Sequence, residues 1–305
     1  MHTSALLASV ELAIYDLILK SSTSVCEDTI QKLKEIREIE KENPIQLSQI
    51  DLMLDNIEYG HSNQIPLCQD TGHINLFFQI GSNFPLVSNF KEISLRVLKK
   101  LTAESLIRPN SVDPITQINE GFNGGENMPP IYLDIIPKSS DLVITAMNKG
   151  GGSENMSKLF MLPAATGIHD FIPKIVEQMK FAGGKPCPPT ILGIGLGGDA
   201  SKCMSLAKKA LLRPLGVHHI RKDVAALELS LLQQINDLDI GIMGLGGHSN
   251  CLDVRIEIGM RHPATFPVGL IVECYCHRTE SCRITSLGKI TFGKLNSQFK
   301  FEEDQ

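Results

Sequence analysis

The chain has 305 residues with 42% hydrophobic and 21% charged side chains, the balance of a globular protein with a substantial core rather than a disordered one. A net charge of -5, no block of five or six like charges, 5% aromatics and no tryptophan argue against a nucleic-acid surface built on basic patches or base stacking. Eight cysteines without a secretory leader do not make a disulfide framework.

Residues Met1 to Lys20 are apolar but lack a basic opening and carry Glu11 and Asp16, so they are not a signal peptide. Leu6, Leu7, Val10, Ile14, Leu17 and Ile18 recur at helical spacing. No uninterrupted apolar run is long enough to span a membrane, and a cytoplasmic location is expected. A charged helix follows from Ser24 or Glu27 to Lys41, closed by Pro44, and Ile50 to Ile57 is a further apolar segment. Residues 1–60 therefore read as packed helices.

The stretch Pro66-Leu67-Cys68-Gln69-Asp70-Thr71-Gly72 places a thiol, an amide and a carboxylate on consecutive residues, between a proline and a turn-forming Thr-Gly. Cys and Asp side by side suit a metal ligand with an acid/base group beside it; a surface turn with a structural cysteine is the plainer alternative. A strand is expected over Ile74 to Ile80 and a helix over Phe90 to Ile107, ended by Arg108-Pro109-Asn110. Arg108 either caps the helix or offers its fork to a carboxylate. Strands over Ile131 to Ile136 and Leu142 to Met147 lead into Asn148-Lys149-Gly150-Gly151-Gly152-Ser153-Glu154-Asn155, whose backbone N–H groups can approach a ligand closely.

Pro189 to Gly198 reads as a strand entering a glycine turn, with a helix from Ala200 to Leu212. Asp239 to His248 repeats the strand-to-glycine design, and Asp223 to Ile235 between them is helical. Strands return at Leu252 to Ile258 and Phe266 to Cys274, with a late hairpin over Ile284 to Phe292 and an acidic, frayed tail over 300–305. The alternation predicts an α/β or α+β fold with mixed sheets behind a helical N-terminal region, with 1–299 as one domain.

Two chemistries compete for these motifs. Gly193, Gly195 and Gly198 satisfy a dinucleotide fingerprint, which would make the chain an NAD(P)-binding Rossmann protein. That reading needs an acidic residue closing the next strand, and Arg213-Pro214-Leu215-Gly216-Val217-His218-His219 does not supply one. The other chemistry joins Cys68, Cys187 between its flanking prolines, and Cys274 after the apolar run Val268 to Val272. Three such thiolates could hold three irons of a [4Fe-4S] cluster and leave the fourth open as a Lewis acid.

PLCQDTG, NKGGGSEN, KPCPPTILGIGLGGDASKCMSLAKKALLRP, GHSNCLDVRIE and RHPATFPVGLIVEC, in this order, resemble the iron-sulfur (class I) fumarate hydratases and the alpha subunit of L(+)-tartrate dehydratase or two-subunit fumarase, over nearly the whole chain. The resemblance implies a hydro-lyase (EC 4.2.1.-) acting on a C4 dicarboxylate, with Cys68, Cys187 and Cys274 as cluster ligands. It implies Gln69, Asp70, Arg108 and Gly151 around the substrate, Asp70 as a proton-transfer group, and His262 reaching a neighbouring protomer's site. The segment Cys274-Tyr275-Cys276-His277-Arg278 departs from the family's usual Cys-Trp-Ala, which makes Cys276 a competing ligand. The resemblance further implies a separate beta subunit that completes the site, a dimer of alpha–beta pairs and oxygen sensitivity. A non-catalytic iron-sulfur sensor is the alternative. His248 is read as a loop histidine that could face the site.

Overall fold

The computed structural model describes residues 2–85, 89–165, 167–168 and 170–303, the side chains of residues 2 and 3 excepted. The chain opens with three helices, α1 (His2–Thr23), α2 (Glu27–Ile39) and α3 (Pro44–Asn63). Asn43 caps α3 by accepting from the Gln46 N–H at 3.3 Å, and Pro44 sits at its first turn, where no N–H is needed. Then come β1 (His73–Gly81), α4 (Phe90–Ala103), β2 (Ile131–Ile136) and β3 (Asp141–Lys149). Helix α4 ends before the Arg108-Pro109 stop the sequence suggests, because Ser105 is already left-handed at φ 61.

A one-turn helix α5 (Gly151–Glu154) and β4 (Lys158–Pro163) follow, then α6 (Ile172–Ala182), β5 (Thr190–Gly198), α7 (Ala200–Ala210) and α8 (Lys222–Asn236). The chain ends with β6 (Cys251–Arg261), β7 (Thr265–Glu273), β8 (Arg278–Thr285), β9 (Ile290–Leu295) and β10 (Phe301–Glu303). Where a frayed tail is expected from residue 300, Phe301–Glu303 instead pair antiparallel with β9, and Glu303 bonds Arg283. Residues 304–305 lie outside the described residues.

The strands form two mixed sheets, a six-stranded one in the order β10-β9-β8-β3-β1-β2 and a four-stranded one in the order β4-β7-β5-β6. Helices α1 and α4 cover the first through Val10, Ile14, Leu17, Ile93, Val97 and Leu101. Helices α6 and α8 pack on the second, and α2 and α3 close a third cluster that reaches β5, α7 and the Leu67 turn. The chain passes from sheet to sheet between β3 and β4 and again between β7 and β8. These two crossings position the site. No helix among the described residues is long and apolar enough to cross a membrane.

The glycines of β5 explain themselves through α7. A Cβ on Gly195 would stand 1.9 Å from the Cys203 carbonyl oxygen, and one on Gly193 2.1 Å from that of Ala207. The helix lies directly on the strand backbone, and both glycines sit inside β5 facing α7 rather than in the turn that opens it, so neither is placed to cradle a pyrophosphate. The dinucleotide reading fails on this contact. The second glycine stretch is not a strand: Asp239, Gly241, Met243, Gly244, Gly246 and Gly247 all have positive φ, and so many left-handed residues break a continuous extended run. It forms a short 3₁₀ turn (Ile242–Gly244) held by Gln46, whose Oε1 accepts from the Ile242 N–H at 2.6 Å.

The buried contact between β5 and α7 makes a direct expectation. Gly195→Ala should lower stability by about 3 kcal/mol through overpacking, read as a fall in thermal midpoint with no nucleotide present. A midpoint equal to wild type would show that this close approach does not set the glycine.

Candidate functional site

The Pro66–Gly72 turn joins α3 to β1 and is held from below. Leu67 is buried, its N–H donates to the Ser22 carbonyl at 3.0 Å, and its carbonyl accepts from Asn56 Nδ2 at 2.9 Å. That anchoring leaves Cys68 and Asp70 half-buried and Gln69 exposed on the outer side. Gly72 has φ +76, and a Cβ there would meet the Lys149 carbonyl oxygen at 2.7 Å. Only glycine lets the turn lie against the end of β3.

Asp70 is the most heavily bonded group of the turn. Its Oδ1 accepts from the Gly72 N–H at 2.9 Å and its Oδ2 from the Gly151 N–H at 2.7 Å. Arg278 Nη1 donates to its main-chain carbonyl at 2.9 Å, and Asn110 Nδ2 reaches Oδ1 at 3.4 Å. Two backbone donors on one carboxylate fix its orientation. Asn123 Nδ2 joins the Gly72 carbonyl at 2.7 Å to that of Arg108 at 3.1 Å, and Thr71 Oγ1 accepts from the Arg108 N–H at 2.8 Å. The Arg108 backbone is thus part of the site. Its guanidinium is exposed and finds no partner among the described residues.

The expected glycine loop is a tight helical turn. Lys149 at its start is buried, donates from Nζ to Ser153 Oγ at 2.6 Å and stands 3.7 Å from the wholly buried Glu273. A cleft of 510 Å³ opens beside it, lined among others by Asp70, Asn110, Lys149, Gly151 and Lys208.

The thiols reach this place from separate segments. Cys187 sits at φ 56 between its prolines, and the Tyr275 N–H donates to its carbonyl at 3.4 Å. The second glycine stretch braces this loop: the Met243 N–H donates to the Pro188 carbonyl at 3.0 Å. Cys274 follows β7, its Sγ 3.6 Å from Glu273 Oε1 and 3.7 Å from the Cys276 carbonyl. Cys276 is buried at 2% exposure. Burial pushes the Tyr275 phenol up, and the charges of Cys276, Cys274, Cys68 and Cys187 push it further, so all four act electrostatically on one side chain.

Burial likewise raises the Cys274 thiol well above its usual value, with Glu273 and Cys276 adding to it, and raises Cys276 to about 12. Burial raises Cys187 too, with Cys68 and then Asp70 contributing. Such thiols stay protonated until a cation replaces their protons. Arg278, buried beside them, is the cation already present, and it pulls both Cys274 and Cys276 down. His277 is driven to about 3, first by burial and then by Arg255, and so is neutral. Among the described residues no three His, Cys, Asp or Glu side chains could share one metal ion. A cluster makes a different demand, since each thiolate holds its own iron.

Two sequence candidates lie elsewhere. His262 is exposed beyond the end of β6, level with Gly198, whereas Cys187 precedes the start of β5. The nine-residue strand β5 between them is roughly 25 Å long, so His262 does not meet the Asp70 cleft of its own chain. His248 is exposed and pairs with Asp239 at 2.9 Å. Sequence reasoning missed Asn110, Asn123, Glu273 and Lys208. The asparagines carry no pattern signal. Glu273, however, is a charge closing an apolar strand just before Cys274, and that placement marks it.

The model of the family described as fumarate hydratase (Fumerase) matches residues 11–283. The chain is 40% identical over 275 residues to a putative L(+)-tartrate dehydratase subunit alpha of Methanocaldococcus jannaschii, covering 89% of this chain and 96% of that protein. It is 31% identical over 275 residues to the L(+)-tartrate dehydratase subunit alpha of Escherichia coli UTI89, with 90% of each covered. For the Escherichia coli K12 protein of the same name the figures are 32% over 257 residues and 84% of each. With the family model spanning most of its length and relatives above 30% identity covered almost end to end, the chain belongs to the fumarate hydratase (Fumerase) family.

Proposed function

We propose that this chain is the alpha subunit of a hydro-lyase that reversibly removes or adds water on a C4 dicarboxylate, L(+)-tartrate or malate/fumarate. The observation that carries this reading is the Asp70 carboxylate. It is clamped by the Gly72 and Gly151 N–H groups on the wall of a cleft, with thiol-bearing turns beside it. The relatives' names support the dehydratase chemistry and, through the words "subunit alpha", a separate beta subunit.

The donor set fits an iron–sulfur cluster. The Tyr275 N–H bond to the Cys187 carbonyl brings the Cys187 loop against the Cys274–Cys276 segment, and the buried cation Arg278 offsets thiolate charge. Glu273 Oε2 is buried without a hydrogen-bond donor. Cys68, Cys187 and Cys274 would hold a [4Fe-4S] cluster, which supplies a Lewis-acidic iron with an open position when bound.

The chain's own residues do the rest. Asp70, oriented by its two backbone donors, moves the proton on the carbon next to the departing hydroxyl. Gln69 lies on the outer side of the same turn. Arg108 and the Gly150–Ser153 segment hold the remote carboxylate, the first by charge and the second by backbone N–H groups. His262, remote from its own cleft, serves the site of a second copy, in a dimer of alpha–beta pairs. The partner subunit closes the open side of the cleft and excludes water from it.

Three outcomes test this reading. Asp70→Asn should lower kcat by about 10²- to 10⁴-fold in the chain reconstituted anaerobically with its partner, with iron and sulfide content unchanged; activity near wild type would remove Asp70 from proton transfer. Cys68→Ala, Cys187→Ala and Cys274→Ala should each lose bound iron and sulfide, while Cys276→Ala keeps them; cluster loss in Cys276→Ala with retention in Cys274→Ala would reverse the ligand assignment. The isolated chain, loaded with cluster, should turn over neither L-tartrate nor fumarate until the partner is added, and vigorous turnover alone would sink the two-subunit site.

A further inference from the structure

Two lysines in the Asp70 cleft have no task in the reaction above. Lys149 keeps only 2% of its side chain exposed, and Lys208, on α7, keeps 13%. Lys208 Nζ donates to Asn75 Oδ1 at 3.3 Å. Both lysines line the cleft.

Glu154 lies between them. Its Oε2 is 3.4 Å from Lys149 Nζ and its Oε1 3.6 Å from Lys208 Nζ. Neither contact is a hydrogen bond, and Oε2 is shut off from solvent with no donor of its own. Glu154 is thus held by two ion pairs without a hydrogen bond, and a carboxylate that makes those hydrogen bonds is held more strongly than it is. Glu154 closes the one-turn helix α5 and is 43% exposed, so rotation toward solvent is open to it. Once it has turned away, Lys149 and Lys208 face the cleft with Glu273 as the one remaining carboxylate paired to them, 3.7 Å from Lys149. The wall then carries a positive charge.

We propose that Lys149 and Lys208 form a carboxylate subsite on the inner wall of the cleft, that Glu154 fills it in the free chain, and that one carboxylate of the incoming substrate displaces Glu154. The ligand class, a small dicarboxylate, rests on the hydro-lyase reading. The substrate's other carboxylate remains for Arg108. Glu154 then acts as a built-in competitor: it keeps the lysines neutralised while the cleft is empty and favours ligands whose carboxylate makes the hydrogen bonds it does not make.

Lys208 and Glu154 can be changed without stranding a charge in the core, whereas loss of Lys149 would leave Glu273 uncompensated. The test is calorimetric titration of the full-length chain with succinate, a C4 dicarboxylate with no double bond to hydrate and no hydroxyl to lose. Lys208→Met should weaken succinate by about 10-fold or more, the scale of a lost charged hydrogen bond. Lys208→Arg should retain most of the affinity, and Glu154→Gln should tighten binding several-fold. Equal affinities throughout, or no binding by either wild type or Glu154→Gln, overturn the subsite. The two readings fail separately. Turnover of L-tartrate or fumarate with KM unchanged in Lys208→Met and Glu154→Gln removes the subsite and leaves the hydro-lyase. The expected succinate pattern, with neither acid turned over by the complete enzyme, keeps the subsite and removes the hydro-lyase.

Discussion

The Asp70 carboxylate, shared between the N–H groups of Gly72 and Gly151, ties the turn before β1 to the turn after β3. These turns lie at one end of adjacent strands, since His73 pairs with Lys149 in the antiparallel register of β1 and β3. Arg278 extends the tie to a third strand: it pairs with Asn148 at the start of β8 and donates to the Asp70 carbonyl at 2.9 Å. Backbone donors do not change rotamer, so the carboxylate is oriented before any ligand arrives. Preorganisation of that kind is what the proton-transfer role proposed for Asp70 requires.

The second sheet brings the thiols to this end. Strand β7 finishes at Glu273 and hands on through Cys274 to His277 into β8, and β5 begins just after Cys187. The Tyr275 N–H bond to the Cys187 carbonyl closes these two segments on each other. Desolvation raises the thiols, and Arg278 and Lys149 pull Cys274 back down. The balance suits groups that keep their protons while empty and release them to a metal. Asp70 adds to the rise of Cys187, which places carboxylate and thiol in one electrostatic environment.

Element identity was legible because periodicity reports it: the N-terminal helices, the strands at β1, β3, β5, β6 and β7, and helices α7 and α8 all fall where apolar spacing puts them. The Asp239–His248 stretch misled because glycine frequency says nothing of handedness, and its glycines serve a left-handed brace for the Cys187 loop. The fingerprint in β5, which already lacks its acidic partner in the sequence, has a related explanation. Glycine permits a close approach without saying what approaches, and here it is α7. Of the candidate site residues, Cys68, Asp70 and Cys187 stand out in the sequence through turn chemistry. Asn110 and Asn123 do not, since their role is to hold backbone carbonyls and that leaves no mark on residue spacing.

Placing the site at the two crossings between sheets has a consequence for assembly. Asp70, Lys149 and Arg278 belong to the first sheet's end, whereas Cys187, Glu273 and Cys274 belong to the second. Neither sheet carries a complete donor set, so the thiols converge only after the two cores have docked. The unfolded chain, with Cys68, Cys187 and Cys274 far apart in sequence, cannot offer these thiols in a fixed arrangement. A group bound there therefore favours the docked state over the open one, and its binding free energy adds to that of the interface. The buried Lys149–Glu273 contact spans the same seam, joining the last residue of β3 to the last residue of β7. Separating the sheets would take Lys149 away from the buried Glu273 carboxylate, so the seam resists opening even before anything is bound to the thiols.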